Sequence, residues 1–397
     1  MYMRLSKDFF YTIKENITDE DSTSGKLLVK SGMIKKVGNG IYAKMPLGEM
    51  AAKNVEKVVR QYMNEAGASE LRMPSLLPME VFEKTGRKNA FGPSMFKLHD
   101  RYNREYALGP THEELFAICS LNKVKSYRDL HFTTYQIGPK YRDEMRPRLG
   151  LIRTREFTMK DAYSFDKDLE GLDESYKKMF EAYHKIFKSL GLEYTVVRAD
   201  TGLMGGLLSE EFQAITNIGE DILVMCDKCD FSSNIEITQN ATKEECQEEE
   251  KEMQLVETPN KHTIEEVCDL LKIDVKKTVK AMLMNIDGEL VILFIRGDRE
   301  LNETKVLKLL HASEIGFAND ELIATSNAVP GYTGPVGLNS KIIVDNEVLR
   351  MKNFCCGANK ENYHYINVNV KDFRYDIAGD IVNVKEGDTC PNCGKKL

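Results

Sequence analysis

The residues best suited to chemistry lie in one stretch, Tyr141 to Phe157, where Arg142, Arg146, Arg148, Arg153 and Arg155 fall among Asp143, Glu144 and Glu156. Arginine is the side chain that grips phosphate or carboxylate with two parallel hydrogen bonds. Pro147 and Gly150 mark a turn between extended flanks, so the stretch reads as a hairpin with a long loop. Arginines on both flanks of one loop can hold several phosphates of a nucleotide. A solvated, charged surface hairpin is the competing reading. A second set is Gly109-Pro110-Thr111-His112-Glu113-Glu114. There Thr111 can N-cap a helix and Glu114 can close a capping box, which leaves Glu113 free. The third set is cysteine. Of nine, four form the pairs Cys226-x-x-Cys229 and Cys390-x-x-Cys393. Four thiolates meeting tetrahedrally suit a structural Zn²⁺, with four neighbouring free thiols as the alternative. Cys119, Cys246, Cys268, Cys355 and Cys356 show no ligand spacing.

Hydrophobic spacing gives the elements that must position these groups. Leu47, Met50, Ala51, Val55, Val58, Val59, Tyr62 and Met63 recur at helical steps, predicting a helix over 47–66 that Gly67 stops. Leu71 to Pro74 reads as a short extended segment. A second helix is predicted over about 170–190, ended by Gly191. Strand-like runs cover Tyr106 to Leu108, Thr133 to Ile137 and Phe157 to Phe165. Helices interspersed with strands outside any βαβ pattern predict an α+β domain with an antiparallel sheet. Alternation places Phe157, Met159, Tyr163 and Phe165 on one wall. Glutamates cluster over 243–252, which predicts a solvated linker or an exposed helix turn. A new globular pattern follows, with strand signals at Val291 to Ile295 and Lys341 to Val344. The 397 residues suffice for two or three domains, and 42% hydrophobic with 29% charged is ordinary globular usage. A net charge of −7 leaves nucleic-acid contact to a local basic patch. No apolar run is long enough to span a bilayer and the first residues lack a secretory h-region, so the expectation is a cytoplasmic protein without membrane contact.

Tyr141-Arg142-Asp143-Glu144 and Arg153-Thr154-Arg155-Glu156-Phe157 resemble the two halves of motif 2 of class II aminoacyl-tRNA synthetases. The resemblance implies that Arg142 binds the ATP α-phosphate and the amino-acid carboxylate. It implies that Glu144 contacts the adenine amino group, Arg153 the γ-phosphate, and that Phe157 stacks on adenine. Arg146 and Arg148 would face the tRNA acceptor stem. Gly67 to Pro74 resembles motif 1, which implies a homodimer. Gly109 to Glu114 resembles the Thr-x-Glu loop of the prolyl enzymes, where Thr111 and Glu113 receive the secondary ammonium of proline. Arg155 to Phe165 is similar to the bacterial prolyl form, implying a proline pocket that includes Arg142, Met159, Tyr163 and Phe165. Asn39 to Gly48 and Gly205 to Phe212 fit as well, except that Glu210 stands where the family usually has histidine. The chain is therefore identified as a member of the bacterial-type prolyl-tRNA synthetases. ATP with Mg²⁺, proline and tRNA-Pro are the implied cofactors and partners.

Residues 256–380 resemble the editing insertion of that family. The matching pieces are Lys277 to Ala281, Arg296 to Asn302, Gly331 to Pro335, Asp345, and Gly357 to His364. By resemblance Lys280 holds the tRNA 3′ end, Gly331 and Pro335 bound the substrate-gripping turn, and Asp345 and His364 shape an alanine pocket. The need is chemical: a proline pocket cannot reject the smaller alanine by size, so a second hydrolytic site must. The implied division is a catalytic core over 1–240, a linker over 241–255, an editing domain over 256–380 and a return segment over 381–397. An insertion brings its ends together, so the two Cys pairs can clamp its base around one Zn²⁺. Motif 3 is not found, and the expectation is that these 397 residues alone activate proline poorly. The alternative function is an editing deacylase whose synthetase part is a scaffold.

Overall fold

The computed structural model describes residues 4, 6–199, 208–243 and 246–397. Gly205, Gly206 and Leu207 of the glycine-rich motif, with Glu244 and Glu245 of the acidic run, lie outside the described residues. The chain divides into two compact units: Met1–Thr195 with Phe212–Gly219, and Val196–Glu211 with Glu220–Leu397.

The first unit is built on α1 (Pro46–Glu65), β1 (Ser69–Glu70), β2 (Leu76–Pro78), β3 (Lys97–His99), β4 (Glu105–Leu108), α2 (Glu113–Ser120), β5 (Phe132–Tyr141), β6 (Glu156–Phe165) and α3 (Leu169–Ser189). Pro46 opens α1 where its missing N–H costs nothing. Asp168 caps α3 by accepting from the Gly171 N–H. Both helices stop where predicted, before Gly67 and Gly191, which hold φ of +80° and +68°. The extended segment after α1 comes slightly earlier than expected: β1 pairs parallel with β5, Ser69 opposite Thr134. Strands β5 and β6 form one antiparallel ladder from Phe132↔Phe165 to Tyr141↔Glu156. Met63 of α1 packs with Tyr135, Ile137, Ala162, Met179 and Tyr183 on one face of that ladder. The period of two then leaves Phe157, Met159, Asp161, Tyr163 and Phe165 on the opposite face. Beside it, β2, β4 and β3 make a second antiparallel sheet in that order.

The second unit carries β7 (Gln254–Glu257), α4 (Ile264–Leu271), β8 (Val279–Ile286), β9 (Glu289–Arg296), α5 (Glu303–Leu310), β10 (Ile315–Phe317), β11 (Lys341–Asp345), β12 (Phe354–Gly357), β13 (Tyr363–Val368) and β14 (Ile377–Gly379). Five strands form one mixed sheet in the order β10-β8-β9-β11-β14, with β9–β11 and β11–β14 parallel. The continuous apolar run Val291 to Ile295 is the centre of that sheet, buried on both faces. Ile292 and Phe294 meet Phe354, Cys356 and Val368 of the small antiparallel sheet β7-β13-β12. Val291, Leu293 and Ile295 meet Val306 of α5 together with Ile381 and Val382.

The described residues 247–252 of the acidic run are exposed, but they are also tethered. Glu248 pairs with Lys277, and Glu250 pairs with Lys371 at 2.7 Å. Asn353 accepts from the Lys251 N–H and donates to the Glu249 carbonyl, each at 2.8 Å. The segment is laid onto its own unit by long-range contacts that composition does not encode. Among the described residues no helix is long and apolar enough to cross a membrane.

Candidate active site, editing cavity and cysteine cluster

Beyond the β5–β6 ladder the hairpin continues with Arg142 N–H donating to Arg155 O at 3.0 Å and with a bridge between Arg148 and Arg153. The chain reverses at Leu149 and Gly150, both at positive φ, two residues beyond Pro147. The Asp21 carboxylate accepts the Leu149 N–H at 2.9 Å and fixes the loop. Arg153 and Glu144 pair across the loop at 2.8 Å. Arg142 lies with its Cζ 5.5 Å from the Phe157 ring centroid. Its Nε is buried and has no hydrogen-bond partner. Burial lowers its pKa, opposed by Glu113 and Glu144. The hairpin thus brings Arg142, Glu144, Arg153 and Phe157 together. Arg146 and Arg148 are exposed on its loop.

The wall behind them is not the apolar surface that alternation suggested. Asp161 sits in the middle of it, accepting from Lys140 Nζ at 2.7 Å, Gln136 Nε2 at 3.1 Å and Tyr163 OH at 2.7 Å. Lys140 is fully buried. Losing either partner of such a pair costs about 3–5 kcal/mol, because the other charge is stranded. The Tyr163 hydroxyl reaches the Thr111 hydroxyl at 3.4 Å, and Thr111 donates to Glu113. Met159 stands opposite Gly138, and Phe165 stacks on Phe132 at 4.8 Å. The capping expectation fails here. The N-cap of α2 is His112 with no side-chain capping bond. Arg87 Nη1 instead ties up Glu113 at 2.9 Å and Glu114 at 3.1 Å. Glu113 is therefore not free; an incoming ammonium would share it with Arg87 and Thr111.

In the second unit Lys280, Gly331 and His364 line a cavity of about 120 Å³, joined by Thr278, Thr333 and Cys356. The Lys280 ammonium makes no hydrogen bond or ion pair among the described residues, and burial lowers its pKa. His364 Nδ1 lies 2.6 Å from Thr258 Oγ1, and burial pulls its pKa down to about 4. At neutral pH it is an uncharged imidazole. The Cys356 thiol is pushed well up by burial, which makes it a wall rather than a nucleophile. Two glycines allow the Gly331–Pro335 turn to approach β12: a Cβ on Gly334 would stand 1.8 Å from Gly357 O, and one on Gly357 2.2 Å from Tyr332 O. The turn spends its Tyr332 N–H on Val329 O and its Gly334 N–H on Asn359 Oδ1. Pro335 is buried and does not line the cavity.

The structure does not bring Asp345 to this cavity. It ends β11 and accepts the N–H groups of Glu347 at 2.8 Å and Ile381 at 2.9 Å, so it splices two backbone segments instead of facing a ligand. Desolvation raises its pKa to about 6. Between pH 6 and 4 the folded form takes up a proton at Asp345 that the unfolded chain does not yet bind, which adds stability as pH falls. His364 acts oppositely, since the unfolded chain binds the proton first. In Asp345→Asn the Asp345 gain is gone and the His364 loss remains. Its Tm, followed by calorimetry, is expected to fall more steeply from pH 6 to 4 than that of the parent. Parallel profiles would show that Asp345 does not titrate there.

The four paired cysteines meet. Their Sγ atoms all lie within 4.8 Å of one another, with Cys226–Cys393 at 3.6 Å and Cys229–Cys390 at 3.8 Å. Zn–S bonds of about 2.3 Å in a tetrahedron require S···S edges of about 3.8 Å, so the donor set fits zinc. The Lys228 N–H points to Cys226 Sγ at 3.4 Å and Asn392 Nδ2 to Cys229 Sγ at 3.5 Å. Such donors stabilise thiolates.

Residues 96–257 match the family profile of the tRNA synthetase class II core domain (G, H, P, S and T), and residues 258–375 match that of the aminoacyl-tRNA editing domain. A proline–tRNA ligase of Caldicellulosiruptor saccharolyticus is 47% identical over 399 residues, covering 98% of this chain and 69% of that relative. One from Thermoanaerobacter sp. (strain X514) is 45% identical over 401 residues, covering 100% and 70%. The chain belongs to the proline–tRNA ligase family. In this ligase the groups that sequence reasoning missed are Arg87, Lys140, Asp161 and Gln136 in the first unit. In the second they are Thr258, Tyr332 and His262. Tyr332 lies between the two histidines, 5.1 Å from His262 and 5.6 Å from His364. The one available signal was Asp161, a charge at an inward position of an otherwise apolar strand face.

Proposed function

We propose that the first unit condenses proline with ATP to prolyl-adenylate and passes the prolyl group to tRNA-Pro, and that the second hydrolyses alanyl-tRNA-Pro. The observation that carries the first step is the buried Arg142 Nε left without a partner on the same hairpin as Glu144, Arg153 and Phe157. A buried donor without an acceptor costs about 1–3 kcal/mol, and an anion arriving there recovers it. Activation is an in-line displacement at the α-phosphorus by the proline carboxylate, which releases pyrophosphate. No protein base is needed; position and charge are. Arg142 holds the α-phosphate and the carboxylate, Arg153 exchanges Glu144 for the γ-phosphate, Glu144 takes the adenine amino group, and Phe157 stacks on the base. Mg²⁺ enters with the triphosphate as part of the substrate. Thr111 and Glu113 receive the proline ammonium, with Met159, Tyr163 and Phe165 around the ring. Arg146 and Arg148, exposed on the loop, suit acceptor-stem phosphates. The functional division follows 1–240, 241–255, 256–380 and 381–397.

The wider setting is a cytoplasmic homodimer formed through motif 1. Met50 and Val55, 47% and 45% exposed on α1, support that surface. The editing reading rests on Lys280 and a neutral His364 sharing one small cavity. It is tested by incubating the chain with alanyl- and prolyl-tRNA-Pro. Release of alanine with prolyl-tRNA spared is expected; equal hydrolysis of both, or of neither, would sink it.

The cysteine cluster is proposed as a structural Zn²⁺ site held by Cys226, Cys229, Cys390 and Cys393. Metal analysis is expected to give about one zinc per chain, lost in Cys390→Ser/Cys393→Ser together with heat stability. Protein purified without chelator that is metal-free yet melts at the parent's temperature would rule the site out.

A further inference from the structure

A second cavity in the editing unit, of about 200 Å³, is lined by Lys276, Lys277, Arg296, Arg350 and Lys352, with Thr242, Cys246 and Met351; among the described residues Glu347 is the acid in its lining. Two of the five cations are spoken for: Lys277 pairs with Glu248, and Arg296 with Asp298 and Glu347. The other three have no ion-pair partner among the described residues. Arg350 spends one donor, Nη2, on the Thr242 carbonyl at 2.7 Å and keeps the rest of its fork. Lys352 is half-buried and its ammonium makes no hydrogen bond among the described residues; Glu250, which feels its charge, is ion-paired with Lys371. Lys276 is exposed at the rim. Three uncommitted cations around one concavity repel one another, and in a chain of net charge −7 that concentration is local. An anion would relieve it.

The position of this cavity indicates which anion. The editing cavity begins on the same stretch of chain, at Thr278, Val279 and Lys280, directly after Lys276 and Lys277. Three peptide steps separate Lys277 from Lys280, at most about 11 Å of chain. A strand whose terminal aminoacyl-adenosine occupied the first cavity would carry its preceding phosphates past the second. We propose that the Lys276–Arg350–Lys352 cavity binds the phosphodiester backbone of the single-stranded RNA 3′ end, one or more nucleotides inward from the residue being edited. This rests on the editing reading for its orientation and adds a separate site to it. Arg350 offers a bidentate fork and the two lysines point charges, a set that reads backbone and not base.

The test uses the whole chain and a fluorescein-labelled RNA hairpin ending in a single-stranded CCA, with anisotropy measured across a salt series. Lys276→Ala/Lys352→Ala is expected to weaken binding about tenfold and to flatten the log K against log[salt] slope by about 1.4, since each lost single-strand contact removes about 0.7. Lys341→Ala, an exposed strand lysine outside the lining, controls for net charge and should change the slope little. A small alanyl ester of adenosine, which reaches only the first cavity, should be hydrolysed equally by parent and double variant. If the double variant, folded by circular dichroism, keeps the parent's affinity and slope, the proposal is overturned. It is also overturned if inorganic phosphate binding is lost while RNA binding is not, since the site would then serve a free anion. Loss of RNA affinity in a protein that hydrolyses no alanyl-tRNA would keep this site and remove the editing reading alone.

Discussion

Arg142→Ala is expected to slow proline-dependent ATP–pyrophosphate exchange by about 10²–10³-fold in any form of the enzyme that supports it, with circular dichroism unchanged and Tm not lowered. The asymmetry follows from what the side chain does before substrate arrives. Its Nε is buried and unpaired, so the free protein gains no hydrogen bond there that truncation could remove. In the proposed reaction the same group would hold the α-phosphate oxygens and the attacking carboxylate in line while negative charge passes to the departing pyrophosphate. The loss should therefore fall mainly on kcat, with a smaller rise in KM for ATP and proline. Arg142→Lys keeps the charge and loses the fork, so it should recover part of the rate and not all of it. A variant that exchanges within twofold of the parent would remove Arg142 from the reaction.

The same residue shows where sequence was sufficient. Arg142, Glu144, Arg153 and Phe157 sit on one continuous hairpin whose turn and alternation are local properties, so their meeting could be read from spacing. The polar network behind them could not. Lys140 reaches Asp161 although the ladder pairs Lys140 with Phe157 and Gln136 with Asp161. That diagonal depends on how far a buried lysine stem extends, which alternation does not specify. Arg87 was missed for a related reason. A local capping pattern fitted Thr111 and Glu114, but a cation from 26 residues upstream holds both glutamates and leaves the cap without a side-chain bond. In the editing unit, Lys280, Gly331 and His364 converge as the resemblance implied. Asp345 does not, because the backbone N–H groups of Glu347, just after β11, and Ile381, just after β14, claim both of its oxygens. The two Cys pairs were legible as candidate ligands by spacing alone, yet only the fold brings residues 161 or more positions apart to within 4 Å.

Lys280→Ala is expected to lower hydrolysis of alanyl-tRNA-Pro by about 10- to 100-fold while leaving the fold intact. A charge-assisted hydrogen bond contributes about 1.5–3 kcal/mol, which converts to that range. The fold should tolerate the change because the Lys280 ammonium holds no protein group; Thr278 and Val279 beside it supply the packing. Burial already lowers its pKa, with Glu300, Asp298 and Glu265 opposing only through longer-range attraction. An ammonium placed this way is uncomfortable until a phosphate neutralises it, which favours the tRNA-bound state. Two readouts separate contact from mere structure. Lys280→Arg should restore most of the rate, since any cation of similar reach can meet a phosphate. Raising salt should slow the parent more than Lys280→Ala, because only the parent has that attraction to screen. Against the small alanyl ester of adenosine, which carries no phosphate, the variant should hydrolyse about as fast as the parent. If Lys280→Ala deacylates alanyl-tRNA at the parent's rate, the ammonium does not touch the tRNA, and the cavity shared with His364 is not where the aminoacyl end is cut.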